Sequence, residues 1–261
     1  PSPPLPVVRV PSTAAALPWV AVAFHGDPSA KLRVTGVTGT NGKTTVTYLI
    51  EGILAAAGRV PAVIGTIDYR VAGAVLRKGL TTPFPHELQA VTAEAVALGA
   101  TDLLMEVSSH SAAQGRIEGV RFDVGIFTNL TRDHLDFHGD MESYFSAKAR
   151  LFREYLPAGG KRTGIALNGD DPYGERLANE FPTATTFGFS RSWDIHPEEM
   201  EMTWEGTRMV LATPAGPLAL RSPLIGAHNV SNVMAAVAGG LLLSVSPATV
   251  AAGIAASGTI P

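Results

Sequence analysis

A glycine-rich segment that ends in lysine and threonine is the feature of this sequence with the clearest chemical meaning. Residues 36–45 read Gly-Val-Thr-Gly-Thr-Asn-Gly-Lys-Thr-Thr. Between a strand and a helix, such a loop presents backbone N–H groups and the positive end of a helix dipole to an anion. Lys43 would neutralise the β- and γ-phosphates of a nucleotide, and the Thr44 hydroxyl would coordinate Mg²⁺. The usual motif has a glycine where this chain has Val37, so a glycine turn without a nucleotide is the alternative.

Two further polar segments follow strand-like stretches. The predicted strand at residues 102–107 ends in Glu-Val-Ser-Ser-His, and the one at residues 123–128 is followed by Asn-Leu-Thr-Arg-Asp-His-Leu-Asp. In open α/β sheets, ligands bind beyond the carboxyl ends of the strands, so we expect both segments at the same edge as the glycine loop. Glu106 is the candidate for holding Mg²⁺ beside the Thr44 hydroxyl. A carboxylate in water or in a salt bridge is the alternative.

A histidine and a lysine in the next stretch could also take part in chemistry. His134 lies in a run that is too polar for a core strand. The predicted helix at residues 141–154 places Lys148 near its apolar face. A lysine held near an apolar surface has a lowered pKa and therefore a reactive neutral amine fraction. The alternatives are a structural histidine and a lysine that extends its amine to solvent.

Composition limits the class of protein. Of 261 residues, 46% are apolar and 16% are charged, which predicts a globular chain. The net charge of −3 gives no support for binding nucleic acid. The sequence has no strongly apolar run of about 18 residues and no signal-peptide pattern at its start, so we expect no membrane insertion and a cytoplasmic location. The absence of cysteine excludes disulfides, thiolate nucleophiles and cysteine-bound zinc.

Short apolar runs alternate with helical patterns from residue 31 onward. Strands are predicted at residues 32–38, 62–66, 102–107, 123–128 and 164–167, and helices at residues 44–57, 86–98, 141–154, 172–180, 229–244 and 247–256. This order predicts an α/β fold with a phosphate-binding loop, a mostly parallel sheet and helices on both faces. Residues 182–220 predict a small antiparallel β patch in addition. Residues 1–18, which are rich in Pro and Ala, are interpreted as a domain edge or linker.

Together these motifs resemble the Mur ligases, ATP-dependent enzymes of bacterial cell-wall synthesis that join an amino acid to a growing peptide. The resemblance is strongest for the branch that adds the third residue of that peptide. Its blocks follow the family's order: Thr-Gly-Thr-Asn-Gly-Lys-Thr-Thr at 38–45, Thr-Thr-Pro at 81–83, Met-Glu-Val-Ser-Ser-His at 105–110, Phe-Thr-Asn-Leu-Thr-Arg-Asp-His-Leu-Asp-Phe-His-Gly-Asp-Met at 127–141, Tyr144 with Ala147 and Lys148, and Gly-Ala-His-Asn-Val-Ser-Asn at 226–232. The family's altered phosphate loop also accounts for Val37.

The resemblance implies a set of nucleotide and metal contacts. ATP would be held by Gly39, Thr40, Asn41, Gly42, Lys43, Thr44 and Thr45, and at its adenine by Asn229. Thr44 and Glu106 would share one Mg²⁺. The lysine that matches Lys148 is carbamylated by CO₂ in the family, and this carbamate, with His134 and Glu106, would bind a second Mg²⁺. Lys43, Lys148, His134 and Glu106 would therefore be the catalytic set.

The resemblance also implies the substrates, UDP-MurNAc-L-Ala-D-Glu and a free diamino acid. The family positions that grip the UDP-muramoyl peptide match Thr81, Thr82, Ser108, Gln114 and Arg116. The D-glutamyl carboxylate would attack the γ-phosphate of ATP, and the amine would then attack the acyl phosphate that forms. Without the resemblance, Gln114 and Arg116 are interpreted as solvated loop residues, and Asn229 as part of a helix N-cap region.

The family's three-domain plan predicts the domain organisation. Residues 1–30 would be the tail of an N-terminal UDP-binding domain and residues 31–258 the central ATP-binding domain, with the C-terminal amino-acid-binding domain absent. We expect little or no ligation by this chain alone, because closure of that third domain over ATP excludes water. The alternatives are another ligase of the superfamily, such as a folylpolyglutamate synthase, and a non-catalytic nucleotide-binding module.

Overall fold

Two β-sheets organise the chain in the computed structural model, which describes residues 7–258 and residue 260. The large sheet has the strand order β4-β3-β2-β5-β1-β6-β7-β8, and the small sheet has the order β11-β10-β9. The strands are β1 (Arg33–Thr38), β2 (Pro61–Ile64), β3 (Tyr69–Val71), β4 (Ala74–Arg77), β5 (Asp102–Glu106), β6 (Val124–Phe127), β7 (Gly164–Asn168), β8 (Thr185–Phe187), β9 (His196–Thr203), β10 (Gly206–Ala212) and β11 (Leu218–Ser222). All pairings among β2, β5, β1, β6, β7 and β8 are parallel. Antiparallel pairing joins the edge strands β3 and β4 and the strands of the small sheet.

Helices cover both faces of the large sheet. They are α1 (Thr13–His25), α2 (Lys43–Ala56), α3 (Pro85–Ala97), α4 (Ser109–Ala113), α5 (Leu135–His138), α6 (Met141–Arg150), α7 (Leu156–Ala158), α8 (Pro172–Glu180), α9 (Ala227–Leu242) and α10 (Pro247–Ala256). Within the described part of the chain, no helix has the length and apolarity that crossing a bilayer requires.

Alternation along the central strands creates two apolar layers. In β5, Leu103 and Met105 face one layer, whereas Leu104 faces the other. The first layer is completed by apolar residues of α3, α4, α6 and α8. The second is completed by α2, α9 and α10 and by residues of the small sheet. The central strands are thus buried on both faces, which is typical of a parallel sheet.

A π-helical turn, Leu151–Tyr155, follows α6 and lies close to the sheet. Two strand glycines allow this approach. A Cβ on Gly36 would lie 3.2 Å from Leu151 Cδ1, and a Cβ on Gly125 would lie 2.5 Å from Leu156 Cδ1 and 3.0 Å from Phe152 Cε1. Single π turns occur often at functional sites. Here the turn anchors the end of the helix that carries Lys148.

The five strands and six helices predicted from the sequence are confirmed, with ends shifted by one or two residues, except that the predicted helix at 141–154 ends as a π turn. Helix α1, which was not predicted, begins at Thr13, inside the stretch of residues 1–18 that is interpreted as a domain edge or linker. The Ser12 hydroxyl caps this helix by accepting from Ala15 N at 3.2 Å, and the alanines after it favour helix despite Pro18. Residues 1–6 lie outside the described residues.

The predicted antiparallel patch is confirmed as the small sheet, but it begins later than expected. Strand β8 falls inside the predicted patch and instead extends the large sheet, parallel to β7. The β3–β4 hairpin was not predicted at all. Its strands are only three and four residues long, so their alternation gives too little signal.

Candidate nucleotide and metal site

The glycine loop (residues 39–42) joins β1 to the first turn of α2, and its backbone requires glycine at both ends. Gly39 has φ +145° and Gly42 has φ +86°, values that side chains rarely allow. A Cβ on Gly39 would overlap Thr128 Oγ1, and a Cβ on Gly42 would overlap Asn232 Oδ1. The loop therefore packs directly against the end of β6 and against α9.

Asn129, which follows β6, holds the loop in shape. Thr40 N donates to Asn129 O at 2.9 Å, and Asn41 N donates to Asn129 Oδ1 at 3.0 Å. The Thr128 hydroxyl donates to Asn41 O at 2.6 Å. These bonds join the carboxyl ends of two neighbouring parallel strands, where ligands of such sheets bind.

Two lysines converge on the loop from different helices. Lys43 Nζ donates to the carbonyls of Gly39 and Thr40 at 2.9 and 2.8 Å. Lys148 Nζ donates to the same Gly39 carbonyl at 2.8 Å, and its side chain is 1% exposed. Burial lowers the pKa of Lys43, against the attraction of Glu106 and Asp133. Burial, and then the charge of Lys43, lower the pKa of Lys148 well below its ordinary value.

Glu106, at the end of β5, lies beside the start of α2. The Thr44 hydroxyl donates to its Oε1 at 2.9 Å. Because the Thr44 proton points to the carboxylate, its oxygen lone pairs are available to a cation. A hydroxyl and a carboxylate oxygen at this distance are the hard donors that Mg²⁺ prefers, so these residues fit a magnesium ion at the phosphate end of the loop.

His134, in the segment that follows β6, lies near the same tyrosine ring as Lys148. Its ring is 6.0 Å from the Tyr144 ring, and Lys148 Nζ is 4.6 Å from the centre of that same ring. The His134 side chain is 47% exposed and lies near Asp133, 3.4 Å from Nε2 to Oδ2. Among the described residues, no three His, Asp or Glu side chains are grouped closely enough to hold a metal ion.

A cleft of about 400 Å³ opens beside the glycine loop. It is lined by Asn41, Gly42, Thr45, Asn129, Leu224, His228, Asn229, Ser231, Asn232 and Ile260. The Asn229 side chain is fixed here, because it donates to Ile225 O at 2.9 Å and accepts from Asn232 Nδ2 at 3.2 Å. The cleft shares Asn41 and Gly42 with the loop, and its volume lies within the range of small-ligand sites.

The five residues predicted to grip the substrate form one connected group next to Glu106. Thr82 Oγ1 donates to the Glu106 carbonyl at 2.7 Å and accepts from Ser108 N at 3.1 Å. Arg116 donates through Nε to Gln114 Oε1 at 2.8 Å and through Nη1 to Thr82 O at 3.2 Å. Thr81 joins the group through Thr66, with the two hydroxyl oxygens 3.0 Å apart.

Comparison with known proteins supplies the family. The family model of the Mur ligase middle domain matches residues 37–240, which are most of the chain and include every residue of the site described above except Ile260. The chain belongs to the Mur ligase family. The resemblance seen in the sequence is thereby confirmed.

Two curated relatives of this chain carry the same name. The UDP-N-acetylmuramoyl-L-alanyl-D-glutamate–2,6-diaminopimelate ligase of Geobacter metallireducens is 44% identical over 257 residues, which are 97% of this chain and 50% of the relative. The ligase of that name from Gloeobacter violaceus is 45% identical over 259 residues, covering 98% of this chain and 52% of the relative. The chain thus spans about half the length of the curated relatives it matches.

Solved structures show the same fold. A ligase with that name has a TM-score of 0.83 at 26% identity, covering 94% of this chain and 51% of that chain. The apo form of L. casei folylpolyglutamate synthase has a TM-score of 0.76 at 15% identity, covering 97% of this chain and 69% of that chain. The second likeness shows the fold alone.

Several residues that contact the Mur ligase site were not among the predicted site residues. Thr128, Asn129 and Tyr144 lie inside or beside the sequence blocks that carried the resemblance, but spacing alone gave them no role. Asn232 lies against Gly42. Thr66 could have been found by the rule that located Glu106, because it follows β2, a parallel neighbour of β5.

Proposed function

We propose that this chain is the ATP-binding part of a longer ligase that joins 2,6-diaminopimelate to UDP-MurNAc-L-Ala-D-Glu. The names of relatives that are 42–45% identical support the substrates. The observation that carries the proposal is the convergence on one carbonyl and one carboxylate: Lys43 and Lys148 both donate to Gly39 O, and Thr44 donates to Glu106. Both substrates of the first step, ATP and a nucleotide-linked precursor, are cytoplasmic compounds, and we assign the reaction to that compartment.

The chain's own residues would hold ATP at both ends. The backbone N–H groups at the start of α2 would bind the phosphates, and Lys43 would offset the charge of the γ-phosphate. Gly39, Thr40, Asn41, Gly42, Thr44 and Thr45 complete this contact. Asn229 would hold the adenine across the cleft, because its side chain is already fixed by Ile225 and Asn232.

The Thr44–Glu106 pair also fits one of the metal ions that the family implies. Thr44 and Glu106 would hold one Mg²⁺, and Glu106, His134 and a carbamate on Lys148 would hold a second. When bound, these two ions would offset the negative charge that gathers around the transferred phosphoryl group. The lowered pKa of Lys148 supports the modification, since CO₂ reacts with a neutral amine.

The group of residues beside Glu106 that was predicted to grip the substrate would orient the D-glutamyl carboxylate toward the γ-phosphate. Arg116 suits a carboxylate or phosphate because its guanidinium presents a planar fork of donors. Its position is fixed by Gln114, by Thr82 and by the Phe84 ring, whose centre lies 4.4 Å away. Thr81, Thr82 and Ser108 would contact the muramoyl peptide beside Glu106. Phosphoryl transfer then gives an acyl phosphate, which the amine attacks with release of phosphate.

We further propose the domain assignment: residues 1–30 belong to the end of a UDP-binding domain and residues 31–258 to the central domain. Because the relatives are about twice as long, the amino acid would be chosen by a domain that this chain does not contain. We expect the chain alone to bind nucleotide weakly and to form no measurable tripeptide, since closure over ATP excludes water. Tripeptide product from this chain alone would contradict that expectation.

The test is a ligation assay on the full-length protein. UDP-MurNAc-L-Ala-D-Glu, ATP and 2,6-diaminopimelate should give the UDP-linked tripeptide with one ADP and one phosphate per product, and omission of any substrate should stop it. Lys148→Ala and Lys148→Arg should both abolish turnover, and short carboxylic acids should restore part of the activity of the alanine variant only. Glutamate addition to a folate substrate, without tripeptide formation, would instead favour the folylpolyglutamate synthase alternative.

A further inference from the structure

Thr66 grips both oxygens of the Glu106 carboxylate. Its backbone N–H donates to Oε1 at 3.0 Å, and its hydroxyl donates to Oε2 at 2.9 Å. Glu106 is 1% exposed, so each donor replaces water that the carboxylate has lost. Hydrogen bonds to a buried charged group are among the stronger ones in proteins. Thr66 therefore fixes the plane of this carboxylate.

The segment that carries Thr66 is itself braced. Gly65 lies so close to Glu106 that a Cβ would overlap Oε1. Gly65 N donates to Asp68 O at 3.3 Å, and Asp68 accepts from Arg70 Nη1 at 2.7 Å. Arg70 in turn donates to Glu51 of α2. The short connection from β2 to β3 is thus anchored to the helix that begins at the glycine loop.

The hydroxyl protons in this group have a fixed direction. A threonine hydroxyl has one proton to donate, and the proton of Thr66 goes to Glu106 Oε2. The 3.0 Å contact between the hydroxyls of Thr66 and Thr81 must then be donated by Thr81. The only proton of the Thr81 hydroxyl is used, so the hydroxyl offers a ligand only its oxygen lone pairs. Thr81 is half-buried, so these lone pairs are reachable.

We propose that Thr66 is a positioning residue that orients Glu106 and makes Thr81 a hydrogen-bond acceptor for an N–H or O–H group of the muramoyl-dipeptide substrate. The inference rests on the proposed function and adds the polarity of one substrate contact. A carboxylate of the substrate cannot bind at Thr81, because two acceptors would face each other there. The amide N–H groups of the dipeptide and the hydroxyls of the sugar have the required polarity.

Four variants of the full-length protein test the proposal: Thr66→Val, Thr66→Ser, Thr81→Val and the double valine variant. Thr66→Val keeps the shape of the side chain and the backbone N–H that binds Glu106. It removes the hydroxyl that accepts from Thr81, so the Thr81 proton can turn toward the ligand. We expect Thr66→Val and Thr81→Val each to raise the Kd for UDP-MurNAc-L-Ala-D-Glu, measured by calorimetry without ATP, by about tenfold. Thr66→Ser should stay within about twofold of the wild type. The double variant should be no weaker than either single one, because both remove the same contact.

Controls separate positioning from general loss of structure. Thr183→Val changes an exposed turn threonine and should leave Kd, KM and the thermal midpoint unchanged. The Kd for ATP measured without Mg²⁺ should also stay constant in the Thr66 variants, because Glu106 would act on ATP only through the metal ion. An equal loss of ATP and dipeptide binding in Thr66→Val, together with a lower thermal midpoint, would reduce Thr66 to a structural residue and overturn the proposal.

Other outcomes also decide the matter. If the two valine substitutions multiply each other's effect on Kd, they do not act on the same contact, and the proposal is overturned. An unchanged Kd in Thr81→Val also overturns it, and this result holds even if Thr66→Val fails to fold. Wild-type protein that forms no tripeptide and does not bind the dipeptide nucleotide would instead refute the proposed function. The two failures are therefore distinguishable.

Discussion

Lys43 and Lys148 lie on different helices, yet both donate to one oxygen, the carbonyl of Gly39, at 2.9 and 2.8 Å. Lys43 begins α2, whereas Lys148 lies two residues before the end of α6. Burial and the nearby charge of Lys43 disfavour the charged form of Lys148, so its pKa is well below the ordinary value. The glycine loop therefore accepts hydrogen bonds from two buried lysines, and burial lowers the pKa of both.

The lowered pKa of Lys148 predicts a pH dependence of stability in buffer free of CO₂. Between the lowered pKa and the ordinary value of 10.5, the unfolded chain holds a proton that the folded chain lacks. The free energy of unfolding must rise with pH across that window, by at most about 1.4 kcal/mol per pH unit for this group. Lys148→Met removes the effect. The stability of the wild type minus that of Lys148→Met, measured by urea unfolding, should increase from neutral pH toward pH 10.

An exposed lysine provides the control for this measurement. Lys78→Met should give a stability difference from the wild type that is flat, or nearly flat, over the same pH range. If the stability difference for Lys148→Met is also independent of pH, Lys148 binds its proton equally in the folded and the unfolded chain. The account of Lys148 as a neutral amine would then fail.

A second prediction concerns the strained end of the glycine loop. Gly42→Ala should weaken ATP binding by at least about tenfold and destabilise the fold by more than about 2 kcal/mol. There are two reasons. Alanine would have to adopt a φ of +86°, which is strained for a residue with a side chain, and its Cβ would overlap Asn232 Oδ1. Gly58→Ala has a comparable φ of +70° with nothing within 4 Å of the added Cβ, so it isolates the backbone term. Equal destabilisation by the two substitutions would show that the contact with Asn232 is unimportant.

The sequence was sufficient to predict the fold class and the position of the glycine loop between β1 and α2, because both depend on local signals. Apolar runs, helical spacing and strand-end polar residues are contiguous in the chain, and they placed Thr44 and Glu106 at one edge of the sheet before their 2.9 Å contact was known. Thr82, Ser108 and Arg116 could be chosen only through the family resemblance. The structure shows them connected.

Features that depend on contacts between distant segments could not be predicted from the sequence. The bond from Lys148 to Gly39 joins residues 109 positions apart, and that from Thr66 to Glu106 joins residues 40 apart. The π turn after α6 depends on two strand glycines that pattern analysis interprets only as weak strand positions. Helix α1 was missed because Pro18 interrupts its pattern, although an Ala-rich stretch and the Ser12 cap favour it.

A third prediction separates charge from geometry on the substrate side. Arg116→Lys keeps the positive charge but loses the fork that reaches Gln114 and Thr82 together. In the full-length protein we expect the KM for UDP-MurNAc-L-Ala-D-Glu to rise about tenfold with little change in the KM for ATP. Arg132→Lys, on an exposed residue of the neighbouring loop, serves as the matched substitution. A parallel rise of both KM values in Arg116→Lys would show that the residue supports the fold rather than the substrate.

The last prediction compares a buried ion pair with an exposed one. Arg59 donates through Nε to Asp102 Oδ2 at 2.8 Å and also bonds Oδ1, and the Asp102 side chain is 1% exposed. Arg59 Nη1 also donates to Leu243 O at 3.1 Å. The arginine thus ties the start of β5 to the end of α9. Arg59→Met leaves a buried carboxylate with only the Thr101 hydroxyl at 2.7 Å, and should destabilise the fold by about 3 kcal/mol at neutral pH. Arg77→Met breaks the exposed pair with Glu94 and should change stability by less than about 1 kcal/mol. Both differences come from urea unfolding at pH 7, and similar values for the two variants would contradict the role given to burial.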